Sequence, residues 1–304
     1  LPHEVVAMNS LTVNLHLMMV SFYRPTAERH AILIEKNAFP SDRHAAASQI
    51  AFHGFDPAAA LIELEGDEAC GTLSGDAILQ ALERDGARIA LVLLPGVQYL
   101  TGQAFDLAAI TRAAHAKGCM VGFDLAHAAG NLDLHLHDAG CDFAAWCSYK
   151  YLNAGPGAVA GCFVHERHAR ADLPRFAGWW GHEPVSRFRM QPQFVPAAGA
   201  DGWQLSNPPI LALAPLRVSL ALFRRAGIAA LRAKSEALTA YFDALVREHA
   251  ADVLDVVTPR EADRRGCQLS LRVKGAREAG RSLHEHLNAR GIVVDWREPD
   301  VIRA

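Results

Sequence analysis

The sequence lacks the features that would assign it to membranes, secretion or nucleic acid. Its six cysteines (Cys70, Cys119, Cys141, Cys147, Cys162 and Cys267) form no CxxC pair, so they outline neither a zinc ribbon nor a disulfide framework. Scattered thiols of this kind fit a reducing compartment, and the cytosol is expected. No apolar run reaches the roughly 18 residues that a membrane-crossing helix needs, and the longest, at 11–22, is broken by Asn14 and His16. No secretory leader is visible. Nor is there an excess of basic charge: the formal net charge is −3, with Lys and Arg spread along the chain, which leaves no stripe for a phosphate backbone. Neither a membrane nor nucleic acid is an expected partner. The chain opens on Leu1, without methionine and inside an expected strand, so it reads as a piece of a longer protein.

What is present is the material of a large core: 51% hydrophobic and 21% charged residues over 304 positions. Apolar runs at 4–8, 31–35, 89–94, 120–123 and 143–146 have the length and setting of strands, and 12–22, 43–52, 75–85 and 106–117 have helical spacing. This βα alternation predicts an α/β fold, with a mainly parallel sheet flanked by helices on both faces. Ligands in such sheets sit beyond the carboxyl ends of the strands. After Pro208-Pro209 the pattern changes to helices at 210–223 and 228–249, separated by Gly227. A strand pair at 253–257 and 267–273, a helix at 277–288 and a last strand at 292–295 follow. The expectation is a large domain over 1–209 and a smaller α/β domain over 210–304.

Chemistry concentrates at the expected strand ends. Lys150 closes one apolar strand and is followed by a loop with Gly155 and Gly157, while Asp124 closes another, with His127 three positions on. A surface lysine and a helix-capping aspartate are the ordinary readings of each residue alone. Together they match pyridoxal 5′-phosphate (PLP) chemistry, which needs an amine to attach the cofactor and a carboxylate facing its ring nitrogen. The carboxylate keeps that nitrogen protonated, because an opposite charge at hydrogen-bond distance favours the charged form. Between Asp124 and Lys150 there is chain enough for one helix and one strand, so both can reach the same sheet edge. Asn9-Ser10-Leu11-Thr12 stands where a strand turns into a helix, a place that binds anions, although Ser10 or Thr12 could equally be a cap. Phe39-Pro40-Ser41-Asp42 could supply a ring to stack on the cofactor and a hydroxyl for its phosphate, or simply a turn.

Six runs carry a family resemblance: Asn9 to Asn14, Phe39 to Asp42, Phe123 to Ala128, Trp146 to Asn153, Gly178 to Glu183 and Ser206 to Pro209. In sequence and order the chain resembles kynureninase, a PLP enzyme of the aspartate-aminotransferase-like fold (fold type I). The resemblance implies that Lys150 holds PLP covalently and that Asp124 faces its ring nitrogen. Leu11, Thr12, Phe39, Pro40, Ser41, Asp42, His127, Tyr149, Trp179 and Asn207 would line the cofactor site, with Tyr149 and Trp179 near the phosphate. Lys150 and Tyr149 would move the protons. Asn207 would approach the substrate's aromatic ring, and Arg303 would fix its carboxylate through a two-pronged guanidinium contact. Pro95 departs from the small residue expected there. The family is longer at both ends, with a further active-site histidine on its N-terminal segment. The implied reaction is hydrolysis of L-kynurenine or 3-hydroxy-L-kynurenine to anthranilate or 3-hydroxyanthranilate and L-alanine, a step of tryptophan catabolism. A homodimer is implied too, since members of this fold build their sites at a twofold interface.

Three rival readings are weaker. A cysteine desulfurase would need a mobile-loop cysteine, and Cys267, the lone cysteine of the expected small domain, falls in an expected strand. A non-catalytic relative has no reason to keep Lys150, Asp124, Thr12 and Asn207 together. Among 15 histidines, His135 and His137 form an HxH pair that a strand would put on one face, but no third ligand is expected nearby, so no metal is assigned.

Overall fold

The computed structural model describes residues 1–68, 70–275 and 277–304. Its first part contains strands β1 (Val5–Ala7), β2 (Ala31–Glu35), β3 (Leu61–Leu64), β4 (Ile89–Pro95), β5 (Met120–Asp124), β6 (Phe143–Trp146) and β7 (Gly161–Val164). Between them run helices α1 (Leu11–Phe22), α2 (Pro40–Phe52), α3 (Pro57–Ala60), α4 (Gly75–Asp85), α5 (Leu107–Ala116) and α6 (Leu136–Ala139). The strands form one sheet in the order β1-β7-β6-β5-β4-β2-β3. From β3 to β6 all neighbours are parallel, and β7 and then β1 add antiparallel at the far side.

The central strands read as unbroken apolar runs because both sheet faces are covered. Alternation survives inside them: Ile32, Ile34, Leu91 and Leu93 join one core with α1 and α2, while Leu33, Val92 and Leu94 join the other with α4 and α5. Gly122 in β5 is needed by its neighbour. A Cβ there would meet the Phe143 ring at 2.1 Å, so the missing side chain lets the ring lie across β5 just before Asp124.

The second part begins with α7 (Ile210–Ala226) and α8 (Ile228–His249). It continues with β8 (Leu254–Val256), β9 (Ser270–Val273), α9 (Arg277–Ala289), β10 (Asp295–Arg297) and β11 (Val301–Arg303), whose strands form an antiparallel sheet in the order β10-β11-β9-β8. It grips the loop after β4 through hydrogen bonds. Thr258 Oγ1 donates to the Thr101 carbonyl at 2.6 Å, Ser270 Oγ to that of Leu100 at 2.5 Å, and Gln268 Nε2 to that of Tyr99 at 3.2 Å. Among the described residues no helix is long and apolar enough to cross a membrane.

Three strands escape the sequence pattern. β3 is four residues long. β7 opens on Gly161, which reads as a breaker but leaves room for the Trp146 indole, 2.2 Å from where a Cβ would stand. The expected last strand at 292–295 is shifted: Ile292 and Val293 are exposed, and pairing starts at Asp295, turns at Glu298-Pro299 and returns as β11. Arg303 therefore lies within a strand that pairs with β9, where the sequence placed it after the last one.

Candidate active site

Glu35, Pro95 and Asp124 are the last residues of β2, β4 and β5, and all three face one cavity of about 520 Å³. This is the carboxyl edge of the parallel sheet, where such folds bind ligands. Lys150 enters from the loop after β6. Its Nζ lies 3.1 Å from His127 Nε2 and 5.6 Å from the centre of the Phe39 ring. Burial, with help from the positive charges of Lys150, Arg303 and Arg297, lowers the His127 pKa to about 3. The imidazole is therefore neutral at physiological pH, and its Nε2 accepts a hydrogen bond from the ammonium. The proton then sits on Nδ1, a buried atom with no partner among the described residues.

Opposite the lysine lies a cluster of acids. Asp124 is 6% exposed and Asp42 8%. Asp124 Oδ1 accepts the Ala126 N–H at 2.6 Å, so the aspartate does cap the turn after its strand. Its carboxyl is also hydrogen-bonded to Asp42. Two buried carboxyls in contact must share a proton, and burial drives both pKa values above the usual carboxylate range, against the pull of Lys150. Glu35, buried beside them, is pushed up to about 8, first by burial and then by the charge of Asp124. Asp42 Oδ1 has no hydrogen-bond partner among the described residues.

The cavity's other end is built for an anion. Ser10 is the N-cap residue of α1 but makes no side-chain cap bond, so its hydroxyl is left facing the cavity with Leu11 and Thr12. The Thr12 hydroxyl meets that of Ser41, in the first turn of α2, at 2.7 Å. The start of α1 thus brings free amide groups and hydroxyls, and the start of α2 adds the Ser41 hydroxyl beside them. Tyr149, half exposed, lines the same space.

The second part of the chain closes the cavity with Arg303 and Arg297. Arg303 Nε donates to Asp295 Oδ2 at 2.7 Å and its Nη1 to the Tyr99 carbonyl at 2.8 Å. Arg297 Nε donates to the same carboxylate oxygen at 2.8 Å.

Ten of the candidate residues thus meet at one cavity. Pro40 starts α2 and faces away, toward a groove with Arg43 and Glu63. Trp179 and Asn207 lie outside the cavity wall, both exposed. Trp179 donates its indole N–H to the Arg187 carbonyl at 3.1 Å. Wall residues not singled out from the sequence include Glu35, Tyr99, Tyr151 and Arg297. Glu35 had a signal, an acid closing an otherwise apolar strand. Tyr99, Tyr151 and Arg297 are brought in by loops and by the second sheet, and no local pattern marks them.

Two expectations about other sites need correction. His135 and His137 do not share a strand face, since His135 caps α6 and His137 lies within it. His137 instead meets two other groups: ligand atoms of Glu4, His137 and His165 lie within 4.8 Å of one another, because pairing of β1 with β7 brings these segments together. Their ligand atoms are engaged by the protein. Glu4 Oε1 pairs with His137 Nδ1 at 2.9 Å and accepts the Glu166 N–H at 2.7 Å, and His165 Nδ1 accepts the Arg167 N–H at 3.1 Å. Cys267 lies ahead of β9, outside any strand, and its backbone N–H donates to Asn131 Oδ1 at 3.0 Å.

Known proteins give this geometry a context. Solved structures of similar shape include the apo cysteine desulfurase of Thermococcus onnurineus NA1, with a TM-score of 0.77 at 17% identity over 99% of this chain and 73% of that one. Another is an alanine–glyoxylate aminotransferase from Nostoc sp., with a TM-score of 0.69 at 16% identity over 98% of this chain and 75% of that one. Identities this low carry the fold alone. Sequence relatives are much closer. The kynureninase of Xanthomonas euvesicatoria pv. vesicatoria (strain 85-10) is 68% identical over 302 residues, 99% of this chain and 71% of the relative. That of Stenotrophomonas maltophilia (strain K279a) is 68% identical over 304 residues, 100% of this chain and 72% of the relative. The profile of the kynureninase C-terminal domain matches residues 231–304. With two-thirds of its residues shared along its whole length, the chain belongs to the kynureninase family.

Proposed function

We propose that the cavity holds PLP and that the chain hydrolyses L-kynurenine or its 3-hydroxy derivative to the corresponding anthranilate and L-alanine. The observation that carries this reading is the placement of Lys150 in one cavity with the paired carboxyls of Asp124 and Asp42. The cluster fits the cofactor electrostatically. Buried acids with one unpartnered oxygen call for a cation, and a protonated pyridine nitrogen is one. The hydroxyls of Ser10, Thr12 and Ser41, with the first amides of α1, suit its phosphate. Phe39, His127, Tyr149 and Leu11 would bound its ring.

Bound PLP supplies an electron sink that accepts the pair left when a bond to the substrate's Cα or Cβ breaks. Asp124, with Asp42 behind it, would face the ring nitrogen and keep it protonated. Lys150 would hold the cofactor, and its amine is the group in the cavity placed to take the Cα proton on Nζ. His127 is neutral and accepts from Lys150, so it orients the lysine without competing for the proton. Tyr149 Oη is the second proton carrier, for the steps in which water adds to the γ-carbonyl and the Cβ–Cγ bond parts. Arg303 holds the α-carboxylate so that the Cα–H bond faces the ring.

Trp179 and Asn207 belong to the site of a second copy in this reading. Trp179 stacks edge-on against the exposed Phe188, and Asn207 shortly precedes Ile210 and Leu211, exposed at 77% and 89% at the start of α7; exposed large apolar side chains of this kind call for a partner. A twofold homodimer would cover them and bring each copy's Trp179 and Asn207 to the other's cofactor. The chain divides at about 209/210 into a cofactor-binding unit and a closing unit. The cytosol suits its free, mostly buried thiols, and tryptophan catabolism suits the reaction.

The test is direct. The purified protein should be yellow and release anthranilate from L-kynurenine, and the two substrates compared side by side give the preference. A colourless protein that takes up no added PLP would end the proposal, and an active monomer in sedimentation would end its dimeric part.

A further inference from the structure

Arg303 is the one arginine of the cavity wall that is nearly buried, its side chain 12% exposed, and it is held from two sides by different parts of the chain. Asp295 on β10 takes its Nε at 2.7 Å and lies 2.5 Å from Nη2. The Tyr99 carbonyl, on the loop that the second sheet grips, takes Nη1 at 2.8 Å. A guanidinium has five N–H groups in a rigid plane, so each terminal nitrogen keeps an N–H that no described residue accepts. What remains is one N–H on each terminal nitrogen of a side chain that lines the cavity.

We infer that Asp295 is the positioning residue of the carboxylate site: it turns the Arg303 fork toward the substrate and fixes it there before the substrate arrives. The inference rests on the reading of Arg303 as the carboxylate's partner. An ion pair between exposed side chains does little by itself, and the Asp295–Arg297 contact, with side chains 47% and 39% exposed, is of that kind. Its consequence is one of charge. Asp295 alone would cancel Arg303 and weaken its hold on an anion, whereas two guanidiniums on one carboxylate leave the group with a net positive charge. Arg297 thus lets the fork be oriented without being neutralised. The two guanidiniums outweigh the effect of burial on Asp295 and hold its pKa below the usual carboxylate value, so the clamp is charged throughout the neutral range.

Orientation and charge predict opposite signs when Asp295 is made neutral. If Asp295 were merely a competing anion, Asp295→Asn would tighten the binding of a carboxylate. If it positions the fork, the same change loosens it, because a flexible side chain must then be ordered by the ligand. The probe is the holoenzyme with L-alanine and L-alaninamide, which differ in the carboxylate charge. Calorimetry gives the ratio of their dissociation constants. Asp295→Asn should shrink the preference for alanine about tenfold, the scale expected when a positioned group is released. KM for kynurenine should rise in parallel with kcat within about twofold, at unchanged cofactor content, and Asp295→Glu should recover part of the loss. A preference that is unchanged or larger in Asp295→Asn overturns the inference. Arg303→Ala separates it from its foundation. Loss of the preference there, with Asp295→Asn unaffected, removes the role of Asp295 alone, while a preference that survives Arg303→Ala removes the carboxylate reading as well.

Discussion

Two buried aspartates on neighbouring strands show how the same side chain is used in two ways. Asp142 immediately precedes β6, at the amino edge of the sheet, and is 2% exposed. Asp124 ends β5 at the carboxyl edge and is 6% exposed. Asp142 brings its own donors: His115 Nε2 at 2.9 Å, His168 Nε2 at 2.8 Å and the Val121 N–H at 2.7 Å. Burial pushes its pKa up, but the two imidazoles and the amide outweigh that and leave it well below the ordinary carboxylate value. Asp124 meets acids instead, Asp42 in hydrogen-bond contact and Glu35 close by, and its pKa is raised. Burial is nearly equal, so the partners decide. A carboxylate satisfied within the chain holds the fold together, and one left among its own kind is arranged for a cation the chain does not supply.

The largest effect expected at the Asp124 edge comes from Lys150, the group proposed to attach the cofactor. Lys150→Ala should lower turnover by about 10⁴-fold, the upper range for a positioned acid–base group, and abolish borohydride-fixable PLP while the melting temperature stays near the parent's. A Lys150→Ala protein that borohydride still labels would show that another amine carries the cofactor. Asp124→Asn comes next, because an amide of the same shape keeps the fold and the ring contact but not the charge. It should retain PLP and lose about 100-fold in turnover, the scale of removing one electrostatic stabiliser. Equal turnover would mean that Asp42 alone suffices to hold the ring nitrogen protonated.

At the Asp142 edge the same kind of change should strike stability and spare chemistry. Asp142→Ala leaves two histidines and an amide without their acceptor, and should cost about 3 kcal/mol of unfolding free energy with unchanged PLP affinity. Its pH dependence has a definite sign. The folded pKa lies below the unfolded value near 3.8, so the contribution is present above that value and lost as pH falls through the depressed one. Denaturant titrations of the parent and Asp142→Ala should therefore differ by a constant amount from pH 6 to about 4 and converge only below about 3.8. Equal stability of the two proteins at pH 6 would show that Asp142 is not what holds these strands.

The sequence disclosed one of these two sites and not the other. Asp124 and Lys150 were legible because strand ends can be read from apolar runs, and the carboxyl edge is where chemistry sits in a parallel sheet. Asp142 follows a glycine and a cysteine, and its partners His115 and His168 come from distant elements, so no spacing announces the cluster. For the same reason Arg303 was found through family resemblance, while Arg297 and Tyr99, which share its surroundings, were not. The fold was legible where strands are long and buried on both faces, as in β2, β4 and β5. It was lost at the half-exposed edge strand β3, where three of four residues are only partly buried, and at β7, which opens on a glycine.

Glu35 offers the finest test of the comparison, because it is the acid with the least to do if PLP were never to bind. Its folded pKa, about 8, stands above the unfolded value of 4.5, which is the reverse of Asp142. Whatever stability depends on its neutral form is fully present below about 4.5 and lost as pH rises through 8. In cofactor-free protein, Glu35→Gln replaces a carboxyl that must ionise by an amide that cannot. The variant should match the parent at pH 5 and exceed it at pH 8.5 by at least about 1.4 kcal/mol, the equivalent of one pKa unit. Loading with PLP should narrow that gap, because a cationic ring nitrogen beside Asp124 lessens the repulsion that ionised Glu35 meets. Thermal melts of both proteins at the two pH values, with and without PLP, read all of this directly. If the gap is absent at pH 8.5, Glu35 has found a partner on the protein, and the acid cluster is satisfied from within in the manner of Asp142.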